Sequence, residues 1–167
     1  MHITYFNIIV VRLATAKGSD GDIWYQNVPG QFYQQTSFYQ QLDESGLSWK
    51  NYYNDTPWEL MIEYVAKRPD NLHSMDTFFD DCRDGNLPSF SWINPRTGIN
   101  VSTGIGSNDF HPTHDSYAAE EFYKDVYEAI RSSPAWNDTL LIITFDEHGP
   151  SGCNICCIMR YILTIVI

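Results

Sequence analysis

Apolar residues recur along this chain at two spacings, and the switches between them mark its elements. An apolar run over residues 3–11 reads as a buried strand. Phe38 and Leu42 fall four apart in a helix that Thr36 can cap and that Gly46 is placed to end in the left-handed conformation. A strand is predicted over 47–53. Thr56-Pro57 then offers an N-cap and a first-turn proline to a helix that carries Leu60, Met61, Tyr64 and Val65 and ends before Pro69. A further helix over about 75–83 is stopped by Asp84-Gly85, and residues 87–93 alternate as a strand does. Residues 97–116, rich in Gly, Ser, Asn, Pro and Thr, read as a long loop. Asp115 or Ser116 caps the clearest helix, whose one face holds Phe122, Val126, Ala129 and Ile130. The strand over 139–145 is continuously apolar, the pattern of a strand covered on both faces of a parallel sheet. Strand alternates with helix, which predicts an α/β sandwich with a largely parallel sheet and a ligand site outside the carboxyl ends of its strands. Two loops fall there, 94–116 and the residues from Asp146 onward.

Composition narrows this picture. With 167 residues, 43% hydrophobic and 15% aromatic, the chain fits one packed domain or one piece of a larger one. Lys and Arg number 10 against 21 Asp and Glu, a formal charge of -11 that repels phosphate backbones and anionic membranes, so no nucleic-acid partner is expected. A phosphate ester substrate would need a divalent cation to supply the missing positive charge. The spacing Cys153-x-x-Cys156 suits zinc or redox chemistry but has no second Cys/His pair, so no such role is assigned. Ala14-Thr15-Ala16 after the first apolar run imitates a secretory cleavage site, yet no Lys or Arg precedes the run and Asn7 interrupts it. That run and the one over 158–167, which contains Arg160, are both far short of the roughly 20 residues a membrane span needs, so no transmembrane segment is expected. Localisation stays open.

Candidate chemistry collects in the two loops. Asp146-Glu147-His148-Gly149 follows the apolar strand directly, and adjacent carboxylates at a strand end can take a divalent cation, which His148 could join or serve beside as acid or base. A solvated turn would carry the same residues. The stretch Asn108-Asp109-Phe110-His111-Pro112-Thr113-His114-Asp115 packs two histidines and two acids into eight residues. His111, held by the proline after it, is favoured for a site role, and Asp115 for helix capping. His73 is isolated and reads as structural or exposed. The abundant aromatics suit core packing. No Gly-x-Ser-x-Gly elbow and no phosphate-binding P-loop occurs, and no nucleophile stands out.

These segments resemble the phosphoesterase family that contains bacterial phospholipases C, plant non-specific phospholipases C and related acid phosphatases. The resemblance rests on Ser45-Gly46-Leu47-Ser48-Trp49-Lys50 with Tyr52-Tyr53, on Gly85-Asn86-Leu87-Pro88, on Asp109-Phe110-His111-Pro112-Thr113-His114-Asp115, on Val126-Tyr127-Glu128-Ala129-Ile130, and on Trp136-Asn137-Asp138-Thr139-Leu140 through Asp146-Glu147-His148-Gly149. It implies an incomplete alkaline-phosphatase-like α/β/α fold, a partial phosphoesterase domain over 14–149 with divergent ends at 1–13 and 150–167, and hydrolysis of phosphate esters, phospholipids included. By that resemblance Asp146 and Glu147 are active-site acids that hold a divalent metal ion, and His111 contacts the phosphate. Family members open their site with a Glu-Asn-Arg-Ser-type segment, draw a Ser or Thr nucleophile from a Thr-x-Pro-Asn-Arg-type segment, and continue past the Asp-Glu-His-Gly turn with Gly-Phe-Tyr-Asp-His-Val. This sequence has none of the three and reads as truncated at both ends. Impaired turnover is therefore expected, and the alternative is a non-catalytic fragment that at most binds a cation, a phosphate-bearing ligand or another chain.

Overall fold

The computed structural model describes residues 32–34, 36–97, 104–110, 115–145 and 161–166. Local chemistry sets the helix ends. Ser37, one residue after the expected Thr36, caps α1 (Phe38–Glu44) by accepting a hydrogen bond from the Gln40 amide at 3.3 Å, and Gly46 turns the chain out with φ 71°. Ser74 caps α3 (Met75–Asp84) in the same way, and Gly85 ends it at φ 72°. Asp115 caps α4 (Ser116–Arg131) through the Tyr117 amide at 2.9 Å, the role its position suggested.

The single helix expected after Thr56-Pro57 is instead two short pieces, a 3-10 turn Trp58–Met61 and α2 (Glu63–Ala66). The break lies at Ile62, whose extended backbone forms a bridge to Tyr33. The Tyr33 amide donates to the Met61 carbonyl at 2.8 Å and the Glu63 amide donates to the Tyr33 carbonyl at 3.0 Å. The Tyr33 backbone has taken hydrogen bonds that a continuous helix would have used.

Five strands form one sheet in the order β2-β1-β3-β5-β4: β1 (Trp49–Tyr53), β2 (Leu72–Ser74), β3 (Phe90–Asn94), β4 (Leu140–Phe145) and β5 (Tyr161–Val166). β2, β1 and β3 are mutually parallel, while β5 runs antiparallel to both of its neighbours, which leaves β4 parallel to β3. The expected α/β architecture with a largely parallel sheet is thus observed, with one reversed strand that the sequence pattern did not reveal.

Alternation along β1 and β3 divides the core between the two faces. Trp49, Phe90 and Trp92 point to one side, where α1 and α2 cover them with Tyr39, Leu42, Ile62 and Val65. Tyr52 and Ile93 point to the other and pack against Met75, Phe78 and Cys82 of α3 and Val126 and Ile130 of α4. Aromatic side chains do fill the core, as their distribution suggested. The reading of the β4 segment as buried on both faces is corrected. Leu141 and Ile143 pack on the α3/α4 side, but Leu140 is 58% and Ile142 40% exposed on the other, because α1 and α2 cover the sheet only at β1 and β3.

Candidate active site

Four parallel strands, β2, β1, β3 and β4, deliver their carboxyl ends to one edge of the sheet. The register aligns Phe90 with Val166 and Leu140, and Ile93 with Leu163 and Ile143, so β3 and β4 run level with β5 between them. Two strand spacings separate them, roughly 10 Å. Asn94 ends β3 and Phe145 ends β4 at this edge. Both loops that the sequence singled out therefore start from the same end of the sheet.

Hydrogen bonds tie the described part of that end together. The Asn54 amide donates to the Asn94 carbonyl at 3.2 Å, joining the exits of β1 and β3. The Asp55 carboxylate accepts from the Thr56 amide at 2.7 Å and from the Thr97 amide at 3.0 Å, so one exposed acid joins the segments that follow β1 and β3. Beneath it, Glu59 is fully buried and its Oε2 accepts from Asn94 Nδ2 at 2.7 Å. Farther out, Asn108 clamps its loop to the β3 exit: its Oδ1 accepts from the Arg96 amide at 2.6 Å, and its own amide donates to the Arg96 carbonyl at 2.9 Å. Arg96 Nε adds a bond to the Gly106 carbonyl.

The clamp draws polar residues inward. Ser107, Asn108 and Asp109 are all buried, and Phe110 adopts φ 58°, a left-handed backbone that bulky side chains rarely accept and that concentrates at functional sites. Pro95, Asn108, Asp109 and Phe110 line one wall of a small cleft whose other wall is Ala119, Phe122 and Tyr123 of α4. The clamped loop and the capped helix thus fix Asn108 and Asp115 by hydrogen bonds, before and after residues 111–114 in the sequence.

His111, His114, Asp146, Glu147 and His148 lie outside the described residues, as do Cys153 and Cys156. His73 is half-buried in β2 beside the Tyr52 ring, at 6.0 Å between centroids, and burial first, then the Lys50 charge, lowers its pKa from the ordinary histidine value. It is a packed residue, in line with its structural reading. Glu59, Asn94 and Arg96 were not anticipated. Glu59 and Asn94 are 35 positions apart, and only the fold brings them together.

A second polar cluster lies between β1 and α3, where Asp81 Oδ2 accepts from Lys50 Nζ at 2.6 Å and from the Tyr52 hydroxyl at 2.7 Å. Burial and then the Asp81 bond raise the Tyr52 pKa, and burial pushes the Cys82 thiol up to about 12. Among the described residues no group of three His, Cys, Asp or Glu side chains could hold a metal ion. Asp55 is taken up by backbone amides and Glu59 by Asn94, so these acids do not make a cation site by themselves.

The model of the Phosphoesterase family matches residues 1–151. Non-specific phospholipase C6 of Arabidopsis thaliana is 38% identical over 146 residues, an alignment that covers 86% of this chain and 27% of that protein. Non-specific phospholipase C4 of the same plant is 36% identical over 149 residues, covering 86% and 26%. An acid phosphatase of Aspergillus niger is 26% identical over 84 residues, covering 50% and 18%. The chain spans about a quarter of the length of the plant relatives. With its family model matched over nearly its whole length, the chain belongs to the phosphoesterase family.

Proposed function

We infer that this chain carries part of the site of a phosphate ester hydrolase, with phospholipid or other phosphate esters as the substrate class. One observation carries the reading: β3 and β4 are parallel and level, so the segment that includes His111 and the segment Asp146-Glu147-His148 both continue from one end of the sheet in a chain of the phosphoesterase family. In this reading His111 binds the phosphate, and Asp146 and Glu147 are the active-site acids. They also hold a divalent cation, which would stabilise charge on the phosphate and offset the chain's own charge of -11. The described residues do the positioning. Asn108 fixes the loop before His111 to the β3 exit, Asp115 fixes the helix after it, and the buried Glu59–Asn94 pair sets the floor. No nucleophile is assigned, so turnover is expected to be weak beside that of a site that has one.

The test is hydrolysis of a chromogenic phosphate ester and of a phosphocholine lipid, with divalent cations and with a chelator. Turnover is expected to need the cation and to fall at least ~100-fold in Glu147→Ala and in His111→Ala, the scale of a lost acid–base or charge-stabilising group. Turnover indifferent to both substitutions would sink the assignment. Loss of turnover with phosphate binding retained would leave the chain a ligand-binding relative.

A further inference from the structure

We propose that the gap between β3 and β4 is a strand-acceptor site, closed in this chain by its own segment 161–166 and able to take an extended, uncharged, β-branched segment of at least six residues in its place. Both flanking strands lie within the residues that match the family model, 1–151, whereas the strand between them lies beyond it. The two flanking strands are parallel and level, with facing edges held one strand apart. β5 enters that gap against the direction of every other strand described, pairing with four residues of β3 and six of β4.

The composition of the inserted segment fits the place. Tyr161-Ile162-Leu163-Thr164-Ile165-Val166 has no charge, no Gly and no Pro, and Ile162, Thr164, Ile165 and Val166 are β-branched. Such a sequence pairs with any open edge of matching length. Fifteen residues, 146–160, separate β4 from β5 in the sequence, where adjacent antiparallel strands need only two to five. Main-chain hydrogen bonds on two edges then supply the binding, as they do wherever a strand is added to a sheet. Exchange of this strand would also alter the two-strand spacing between the exits at Asn94 and Phe145.

Backbone hydrogen exchange on the full chain tests this without reference to hydrolysis. Thr164→Pro removes an amide from the middle of a strand paired on both sides, while Thr164→Val preserves strand propensity. The proline variant is expected to lose protection at least ~10-fold over 90–94 and 140–145 and to keep it in α3, and the valine variant is expected to match wild type. A synthetic peptide of residues 161–167, flanked by lysines for solubility, is expected to restore protection to the proline variant. Unchanged protection over 140–145 in the proline variant, or no recovery with saturating peptide, would overturn the proposal. Should the proline variant lose protection in α3 as well, Thr164→Gly with the same peptide gives the same two readings, because glycine weakens the strand but keeps its amide.

Discussion

The Glu59–Asn94 pair gives the sharpest quantitative test of how the site end is built. Asn94→Ala deletes the amide that donates to Glu59 Oε2 at 2.7 Å, and water does not replace it readily because Glu59 is fully buried and Asn94 nearly so. A hydrogen bond to a charged group contributes about 1.5–3 kcal/mol net, and a buried carboxylate that loses a donor falls at the upper end. We expect a loss of about 2–3 kcal/mol, which for a domain of this size lowers Tm by about 4–12 °C. Urea unfolding followed by tryptophan fluorescence reads it as a lower midpoint with unchanged slope. Asn94→Asp provides the contrast. It sets a second carboxylate against Glu59 in place of the donor, and the loss of stability at pH 7 is expected to be at least as large as for Asn94→Ala. An Asn94→Ala variant within about 0.5 kcal/mol of wild type would refute the reasoning.

Further outcomes follow from the same physics. Asp81→Ala strips both the Lys50 ammonium and the buried Tyr52 hydroxyl of their shared acceptor and should cost about 2–4 kcal/mol in the same unfolding assay, while Tyr52→Phe, which leaves the ion pair intact, should cost about 1 kcal/mol. Asp115→Ala removes the α4 cap and should cost about 1 kcal/mol, with faster amide exchange confined to the first turn of that helix. Cys82 and Tyr52 both titrate higher folded than unfolded, so their contribution is complete below pH 9 and is lost as pH rises toward 12. Unfolding free energy measured from pH 8 to 11 should therefore fall, less steeply in Cys82→Ala relative to that variant's own value at pH 8.

Much of this fold was legible because its signals are local. Gly46 and Gly85 end helices where their sequence places them, Asp115 caps as expected, and the 3.6-residue spacing of Val126 and Ile130 marks the face that packs on the sheet. What escaped depends on partners distant in sequence. The helix after Pro57 breaks because Tyr33 bridges Ile62, and no residue near Ile62 announces that. The apolar run of β4 suggested two covered faces, but coverage is decided by where α1 and α2 dock. In the terminal apolar run nothing local says that 161–166 inserts between two strands; among the described residues no helix is long and apolar enough to cross a membrane. Glu59 reads as an ordinary acid at a helix start until Asn94 comes to meet it.

The central claim is that the loop after β3 and the segment after β4 serve one phosphate, and a double-mutant cycle on inorganic phosphate binding addresses it most directly. Calorimetric titration in the presence of a divalent cation would compare wild type, His111→Ala, Glu147→Ala and the double variant. We predict that each single substitution weakens binding by about 10-fold or more and that the double substitution costs clearly less than the product, the mark of two groups acting on one ligand. Single substitutions without effect, or effects that multiply cleanly, would contradict the shared site.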